Sequence, residues 1–342
     1  MTRAVAGTTR RVALGLFLAT FVASGCVSVK PLDEAHLGLG DHLVRVGDQR
    51  VYVEQEGRGE PVVLVHGFGA SSFSWREVLP ELARRYRVVA LDLSGFGWTE
   101  RPDALDSYTR ESQVELILGM MDALGIDDAH IIGHSYGGAL TMALAGEHPE
   151  RVRSMVLVDS AAIDYPMNRR TWFAAVPPFA WIYVRGLALR SGSVRRLFKR
   201  AYHDDDLVTK ELVEAYLERL RVEGAARAYR GLTRPRPASQ WPREIRYEEL
   251  DVPTLVVWGA EDRVVSLEQG RVHAELLPDH RFVVIEAAGH SPMEETPVQF
   301  LKAVTAFLEE IDGDDVLRVA GESPLTPMNR EPKLKAIKRD GS

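Results

Sequence analysis

The stretch Ile131-Ile132-Gly133-His134-Ser135-Tyr136-Gly137-Gly138 constrains the fold of this chain more than any other. An apolar run, Ala129 to Ile132, leads into it and reads as a buried strand. Ala139 to Ala145 leaves it and reads as a helix with small residues near its start. A serine at such a strand-to-helix corner is forced into a tight, strained conformation. Glycines two places before and after it are required, because a β-carbon there would collide with neighbouring backbone. The serine is thereby pushed out at the top of a sheet, above a helix N-terminus, where a nucleophile would sit. Alone the pattern is weak, since a glycine-rich turn capping a helix satisfies it equally. Its meaning depends on a surrounding sheet and on partners for the serine.

The sheet is legible. His42 to Val46 and Arg50 to Glu54 alternate in character around Gly47-Asp48-Gln49, which predicts an opening antiparallel hairpin. Pro61-Val62-Val63-Leu64-Val65 is a continuous β-branched run typical of a strand buried on both faces. Tyr86 to Leu91, Arg153 to Asp159, Pro253 to Trp258 and Arg281 to Ile285 supply further strands. Helical patterns lie between them, over Trp75–Leu82, Tyr108–Leu124, Ser266–Leu277 and Pro297–Ile311. Strands and helices therefore alternate, and the predicted class is α/β: a mostly parallel sheet flanked by helices.

The alternation stops between residues 161 and 246. Helices predicted over Trp172–Leu189, Val194–Tyr202 and Thr209–Val222 are broken by Pro177-Pro178, Gly192 and Gly224, and Pro235, Pro237 and Pro242 mark the exit. This reads as a helical insertion. Trp172, Phe173, Phe179, Trp181 and Tyr183 make its first part aromatic; most of those rings are expected to pack onto the main domain and some to line a substrate pocket. The core then comprises residues 41–160 and 247–311, as one large domain carrying an insertion. Residues 312–342 are charged, contain proline and lack periodicity, so a disordered tail is expected there.

A serine hydroxyl needs an adjacent base, itself held by an acid. Of ten histidines, His290 is the best base: it follows the last strand, after a glycine and two places before Pro292. His66 and His134 also neighbour motif residues. His134, beside the serine in sequence, is expected to point away from it, and His66 fits a structural role. Asp262, reached from the strand ending at Trp258 through a short glycine-containing loop, is the chosen acid. Asp159, which also ends a strand after the serine, is a rival; Glu261 and Glu286 are weaker candidates. The order Ser135, Asp262, His290 is the one a strand-turn-helix nucleophile requires. An oxyanion in acyl transfer needs fixed donors, for which the backbone N–H groups of Tyr136 and of Phe68, in His66-Gly67-Phe68-Gly69, are the candidates.

A net charge of −7 gives no general attraction to nucleic acid. There is no phosphate-binding loop, no paired cysteine spacing and no His-Glu-x-x-His, so neither a cofactor nor a metal is implied. The single cysteine is informative by position. Arg3, Arg10 and Arg11 precede an apolar run, Val12 to Val22, that ends in Ala23-Ser24-Gly25-Cys26. A charged start, a short apolar run and small residues outline a secretory signal, too short for a membrane span. The segment 1–26 resembles the bacterial lipoprotein lipobox, although Ala23 stands where leucine is more usual; a signal cut elsewhere or an uncleaved anchor are the alternatives. Thr9-Arg10-Arg11 leaves twin-arginine export open. On the lipobox reading Cys26 is lipidated and becomes the N-terminus, and residues 27–40 are a linker. Acyl chains worth about 0.8 kcal/mol per buried methylene would then hold an exported protein to a cell-envelope membrane.

Together, His66-Gly67-Phe68-Gly69, Asp92-x-x-Gly95-x-Gly97, Gly133-His134-Ser135-Tyr136-Gly137-Gly138, Gly259-x-x-Asp262 and Gly289-His290-x-Pro292 resemble the α/β-hydrolase superfamily with a lid, of the esterase and C–C-hydrolase-like kind. The resemblance runs from about Leu43 to Ile311. It implies the α/β-hydrolase fold, a Ser135–Asp262–His290 triad, an oxyanion hole from Phe68 and Tyr136, and a lid over the cleft. Related dehalogenases and epoxide hydrolases carry aspartate in place of Ser135, which disfavours those activities. Tyr136 replaces a common methionine and is expected to tune the pocket without removing the N–H. The activity expected is cofactor-free cleavage of a small, apolar carboxylic ester through an acyl-enzyme. Hydrolysis of a carbon–carbon bond in a β-diketone-type substrate uses the same triad and is the alternative. A ligand-binding homologue without efficient chemistry is the reading from another class.

Overall fold

The structure, a computed structural model, describes residues 29–161, 190–234 and 246–319. Its strands are β1 (Leu43–Val46), β2 (Gln49–Glu56), β3 (Pro61–Val65), β4 (Arg87–Leu91), β5 (Ala129–His134), β6 (Val152–Val158), β7 (Thr254–Gly259) and β8 (His280–Ile285). They form one eight-stranded sheet in the order β1-β2-β4-β3-β5-β6-β7-β8. The β1–β2 and β2–β4 pairs are antiparallel and all later pairs are parallel. In the opening hairpin Val46 faces Gln49 across a turn in which Gly47 has φ 57°.

The longer helices are α1 (Arg110–Ala123), α2 (Tyr136–Glu147), α3 (Ser191–Ala201), α4 (Lys210–Leu220), α5 (Ala225–Thr233), α6 (Leu267–Glu275) and α7 (Pro297–Val319). Thr109 caps α1 by accepting the Ser112 N–H at 3.0 Å, and Ser266 and Gln269 form a capping box on α6. The β-branched runs become central strands because both their faces are covered. Val63, Val65, Val89 and Leu91 enter one core layer with Ile117 and Met120. Val62, Leu64, Val88 and Ala90 enter the other with Trp75, Leu82, Phe300 and Val304.

Several boundaries differ from the sequence expectation. Trp75–Leu82 is not one helix: a 3₁₀ turn, Ser72–Trp75, is followed by a single α-turn, Leu79–Leu82. Pro80 lacks an N–H and can only sit at the start of a new turn. Helix α7 continues past Asp312, where the tail was expected to begin. Asp312 is held in the fold by His130 Nε2 at 3.0 Å and by Arg153. Gly192 lies inside α3 instead of breaking it, whereas Gly224, at φ 84°, does separate α4 from the unanticipated α5. The supposed linker is docked from its first described residues. Lys30 N–H donates to the Arg221 carbonyl at 2.7 Å, and Glu223 N–H returns a bond to the Lys30 carbonyl at 2.9 Å. Cys26, the helix expected over Trp172–Leu189 with its aromatic residues, and Pro235, Pro237 and Pro242 lie outside the described residues.

Helices α3 to α5 lie between β6 and β7 in sequence. α3 and α4 pack through Phe198 and Tyr216, whose ring centroids are 4.6 Å apart, and through Val194, Val213 and Leu217. This helical segment is pinned to the core by a buried carboxylate. Glu294 pairs with Arg76 and accepts the Tyr216 hydroxyl at 2.7 Å. The guanidinium groups of Arg76 and Arg219 lie over the Phe73 ring at 4.4 and 4.3 Å.

Candidate active site

Ser135 sits between β5 and α2 with φ 51° and ψ −113°, a conformation costing a non-glycine residue about 1–3 kcal/mol. Neighbouring structure over-determines it. A Cβ on Gly137 would lie 2.2 Å from the Val65 carbonyl oxygen, and one on Gly133 would lie 2.3 Å from Thr141 Oγ1. The first turn of α2 is thus pressed against the ends of β3 and β5. Ser135 N–H is tied to the Val158 carbonyl at 2.9 Å, which fixes the corner to β6 as well.

Asp262, after β7, and His290, after β8, arrive at the same end of the sheet, where parallel strands present their carboxyl ends. His290 Nδ1 is 2.7 Å from Asp262 Oδ2. The other oxygen of Asp262 accepts the Val264 and Val265 N–H groups at 2.6 and 3.0 Å. An ionised carboxylate can only accept, so the ring proton is on His290 Nδ1 and Nε2 keeps its lone pair. Among the described residues Ser135 Oγ has no hydrogen-bond partner; such links commonly tighten only around a bound substrate. His134, the residue before the serine, places its ring centroid 4.9 Å from that of His290.

The other two motif histidines are structural. His66 Nε2 accepts the Leu93 N–H at 3.0 Å, so its Nδ1–H donates to the Gly67 carbonyl at 2.8 Å. Burial pushes its pKa down. His134 is turned toward a specific partner: Nε2–H donates to the His290 carbonyl at 2.7 Å. Burial and the neighbouring His290 hold its pKa well below 6.5. Nothing in the sequence spacing marks this bond, which joins residues 156 positions apart.

The backbone of His290 is held from three sides. Besides His134, the Ala201 carbonyl at the end of α3 accepts the His290 N–H at 2.7 Å. Glu295 Oε1 accepts the Gly289 and Ser291 N–H groups at 3.0 and 3.1 Å, while its Oε2 accepts the His203 N–H at 2.6 Å.

Of the rival acids, Glu261 and Glu286 are exposed and outside the site. Asp159 is fully buried beside Asp262 and accepts the Gly259 N–H at 2.9 Å. One donor atom each from Asp159, Asp262 and His290 lie within 4.8 Å of one another, the one cluster of metal-ligating type among the described residues. Its central pair is already committed, since the His290 ring proton occupies the side facing Asp262.

Gly67 brings the Phe68 loop against Ser135: a Cβ there would sit 2.8 Å from His134 Nδ1 and 3.2 Å from Ser135 Cβ. Among the described residues the Phe68 N–H has no acceptor, and Tyr136 opens α2. Both candidate oxyanion donors therefore flank Ser135. The Phe68 ring meets Phe96, Tyr136 and Tyr229 edge-on, at 5.3, 6.4 and 6.3 Å. Tyr229 comes from α5, so the helical segment contributes a ring to the aromatic group around Phe68, in the loop beside Ser135.

Residues 60–297 match the family model described as alpha/beta hydrolase fold. The chain is similar to 2-hydroxymuconate semialdehyde hydrolase of a Pseudomonas species, at 32% identity over 282 residues covering 80% of this chain and 95% of the relative. It is also similar to Lipase 3 of a Moraxella species, at 28% identity over 258 residues covering 73% of this chain and 78% of the relative. Among solved structures, a meta-cleavage product hydrolase from Pseudomonas fluorescens superposes with a TM-score of 0.66 at 31% identity, covering 78% of this chain and 97% of the other.

Proposed function

This chain belongs to the alpha/beta hydrolase fold family, and on that premise we propose that Ser135, His290 and Asp262 hydrolyse a carbon–carbon bond next to a ketone in a dicarbonyl substrate. The observation that carries the chemistry is the 2.7 Å His290–Asp262 bond at the sheet end that also bears the strained Ser135. The bond class rests on likeness to a semialdehyde hydrolase and a meta-cleavage product hydrolase, matched over 95% and 97% of their lengths. That favours the alternative drawn from sequence over the ester cleavage first expected.

In this reading Ser135 Oγ attacks the ketone carbon as His290 Nε2 takes its proton, and Asp262 stabilises the imidazolium. The N–H groups of Phe68 and Tyr136 receive the oxyanion. Collapse breaks the carbon–carbon bond, leaving an acyl-Ser135 and a carbanion delocalised onto the second carbonyl. His290 returns its proton to that carbon. Water, deprotonated by His290, then attacks the acyl group and releases a carboxylic acid and free Ser135. The rings of Phe68, Phe96, Tyr136 and Tyr229 suit an apolar acyl portion. An ester differs only in expelling an alkoxide oxygen, and the likeness to Lipase 3 keeps this second reading.

The test is a panel of 2-hydroxy-6-oxo-dienoates, β-diketones and p-nitrophenyl esters matched in acyl chain. The dicarbonyl compounds are expected to give the higher kcat/KM, and Ser135→Ala to lower kcat by about 10⁶ if the triad acts as a unit. A preference for the esters would transfer the assignment to ester hydrolysis. No turnover, together with no labelling of Ser135 by a fluorophosphonate, would leave a binding protein.

We also propose export and lipidation at Cys26, which support a location on an envelope membrane. Lys30, four residues later, is already bonded to the end of α4, so an acyl anchor would hold that end near the bilayer. Among the described residues no helix is long and apolar enough to cross a membrane. Mass spectrometry of the N-terminus of the native membrane fraction tests the proposal, and an unmodified Cys26 would refute it.

A further inference from the structure

Asp159 follows β6 at the sheet end that carries Ser135, Asp262 and His290. It has no solvent exposure and a φ of 42°. Among the described residues only Ser135 and Ala287 share a positive φ without being glycine, and both belong to loops at this same end. Such strain persists where the surroundings fix the residue, and it clusters at working sites.

The two oxygens of Asp159 are treated unequally. Oδ1 accepts the Gly259 N–H at 2.9 Å. Oδ2 is buried without a hydrogen-bond partner. Yet a carboxylate oxygen of Asp159 lies within 4.8 Å of one on Asp262. Two bare carboxylates in one dry pocket would repel and leave an acceptor unsatisfied. One proton between them removes both problems, because a protonated oxygen becomes a donor. Asp262 is not its owner: both its oxygens already accept N–H donors, from Val264, Val265 and the His290 ring.

We propose that Asp159 is a neutral carboxylic acid whose Oδ2 hydrogen is donated to Asp262, making it a positioning residue that keeps the triad acid ionised and turned toward His290. The inference rests on the triad reading above. It accords with burial and the Asp262 carboxylate, which push the Asp159 carboxyl well above the usual range. The groups facing it are Asp262 after β7, His290 after β8 and Glu295 on the turn beyond, with the Gly259 N–H as the opposing donor. Without the Asp159 donor the Asp262 carboxylate is more basic and holds the His290 ring proton and charge more firmly. The acid limb of the pH profile, where His290 must lose its proton to act, then moves to higher pH.

Asp159→Asn keeps a donor and tolerates the positive φ; Asp159→Ala removes the donor. The Asn variant is expected to keep kcat within about threefold of wild type, and the Ala variant to lose about tenfold or more with KM unchanged. The acid limb of kcat/KM should shift upward in the Ala variant alone, which a merely structural role would not produce. Infrared difference spectra of wild type against Asp159→Asn at neutral pH should show the C=O band of a buried neutral carboxylic acid, and this holds even if the Ala variant fails to fold. Absence of that band, an unmoved limb in a folded Ala variant, or a loss in Asp159→Asn as large as that in Asp262→Asn would overturn the inference. Fluorophosphonate labelling of wild-type Ser135, run in parallel, separates the two levels. Labelling without the band sinks Asp159 alone, and no labelling sinks the triad.

Discussion

His134 and His290 are joined ring to backbone: His134 Nε2–H donates to the His290 carbonyl at 2.7 Å. The residue preceding Ser135 thus fixes the main chain of His290. Removing one partner of a buried bond costs about 1–3 kcal/mol. His134→Phe is therefore expected to lower kcat by roughly 10- to 100-fold with little change in KM. His134→Gln, whose amide can replace the Nε2 donor, should recover most of that loss. Steady-state kinetics of both variants checks the pair, and equal losses would argue against a role for the donor.

The same ring makes stability depend on pH in a defined direction. In the folded protein burial and His290 hold the His134 pKa well below 6.5, its ordinary value. The unfolded chain therefore binds a proton below that value while the folded chain does not. The contribution is complete above pH 6.5 and is lost as pH falls from there toward the folded pKa. Relative to His134→Gln, wild type should lose about 1.4 kcal/mol per pH unit below that point. Denaturant unfolding of the two proteins at several pH values measures this, and a difference that stays constant would contradict it.

Backbone strain at Ser135 predicts a stability gain from an inactivating change. At φ 51° and ψ −113° glycine carries no Cβ penalty, so Ser135→Gly should be more stable than Ser135→Ala by about 1–3 kcal/mol. Both variants lack the Ser135 hydroxyl, so the comparison isolates the backbone. Thermal or denaturant unfolding of the pair checks it.

The buried Glu294–Arg76–Tyr216 group sets a fourth expectation. The Glu294 side chain is 1% exposed, and burial raises its pKa despite the neighbouring Arg76. Glu294→Ala leaves the Tyr216 hydroxyl without its acceptor and Arg76 with only Glu77 and the Phe73 carbonyl, and should destabilise by about 3 kcal/mol. Tyr216→Phe removes only the hydroxyl bond and should cost about 1–3 kcal/mol. Hydrogen exchange in α3 and α4 should rise in Tyr216→Phe if this bond pins the helical segment to the core.

The parts of the molecule that could be read from the sequence are those fixed by local rules. Val62 to Val65 and Val88 to Leu91 declare strands because burial on two faces leaves no polar alternation. The glycines around Ser135 declare the corner because no Cβ fits there. Asp262 and His290 meet at 2.7 Å because each lies past the end of one of two neighbouring strands, which chain order already indicates. What stayed hidden depends on contacts across long separations. The spacing of Tyr216 and Glu294 says nothing of a shared buried bond, and Asp159 looked like a competing acid when the structure sets it beside the chosen one. The end of α7 was misjudged because Asp312, a plain charged residue in sequence, is captured by His130 and Arg153. Substrate class was the least legible. The proposed triad suits esters and ketones alike, and the rings that meet around Phe68 come from separate elements.

The hydrogen bond from His290 N–H to the Ala201 carbonyl bears on how far the helices between β6 and β7 can be exchanged. In a scaffold whose insert merely covers the cleft, that insert could be transplanted from a relative to import a new specificity. Here the C-terminus of α3 and the neighbouring His203 N–H also hold the loop of the base, through His290 and Glu295. A chimaera cut on either side of the helices would change the rings around Phe68 and loosen the His290 loop together. Grafts that retain Ala201 to His203 and alter α5 around Tyr229 would separate the two, and they mark where an engineer should place the seams.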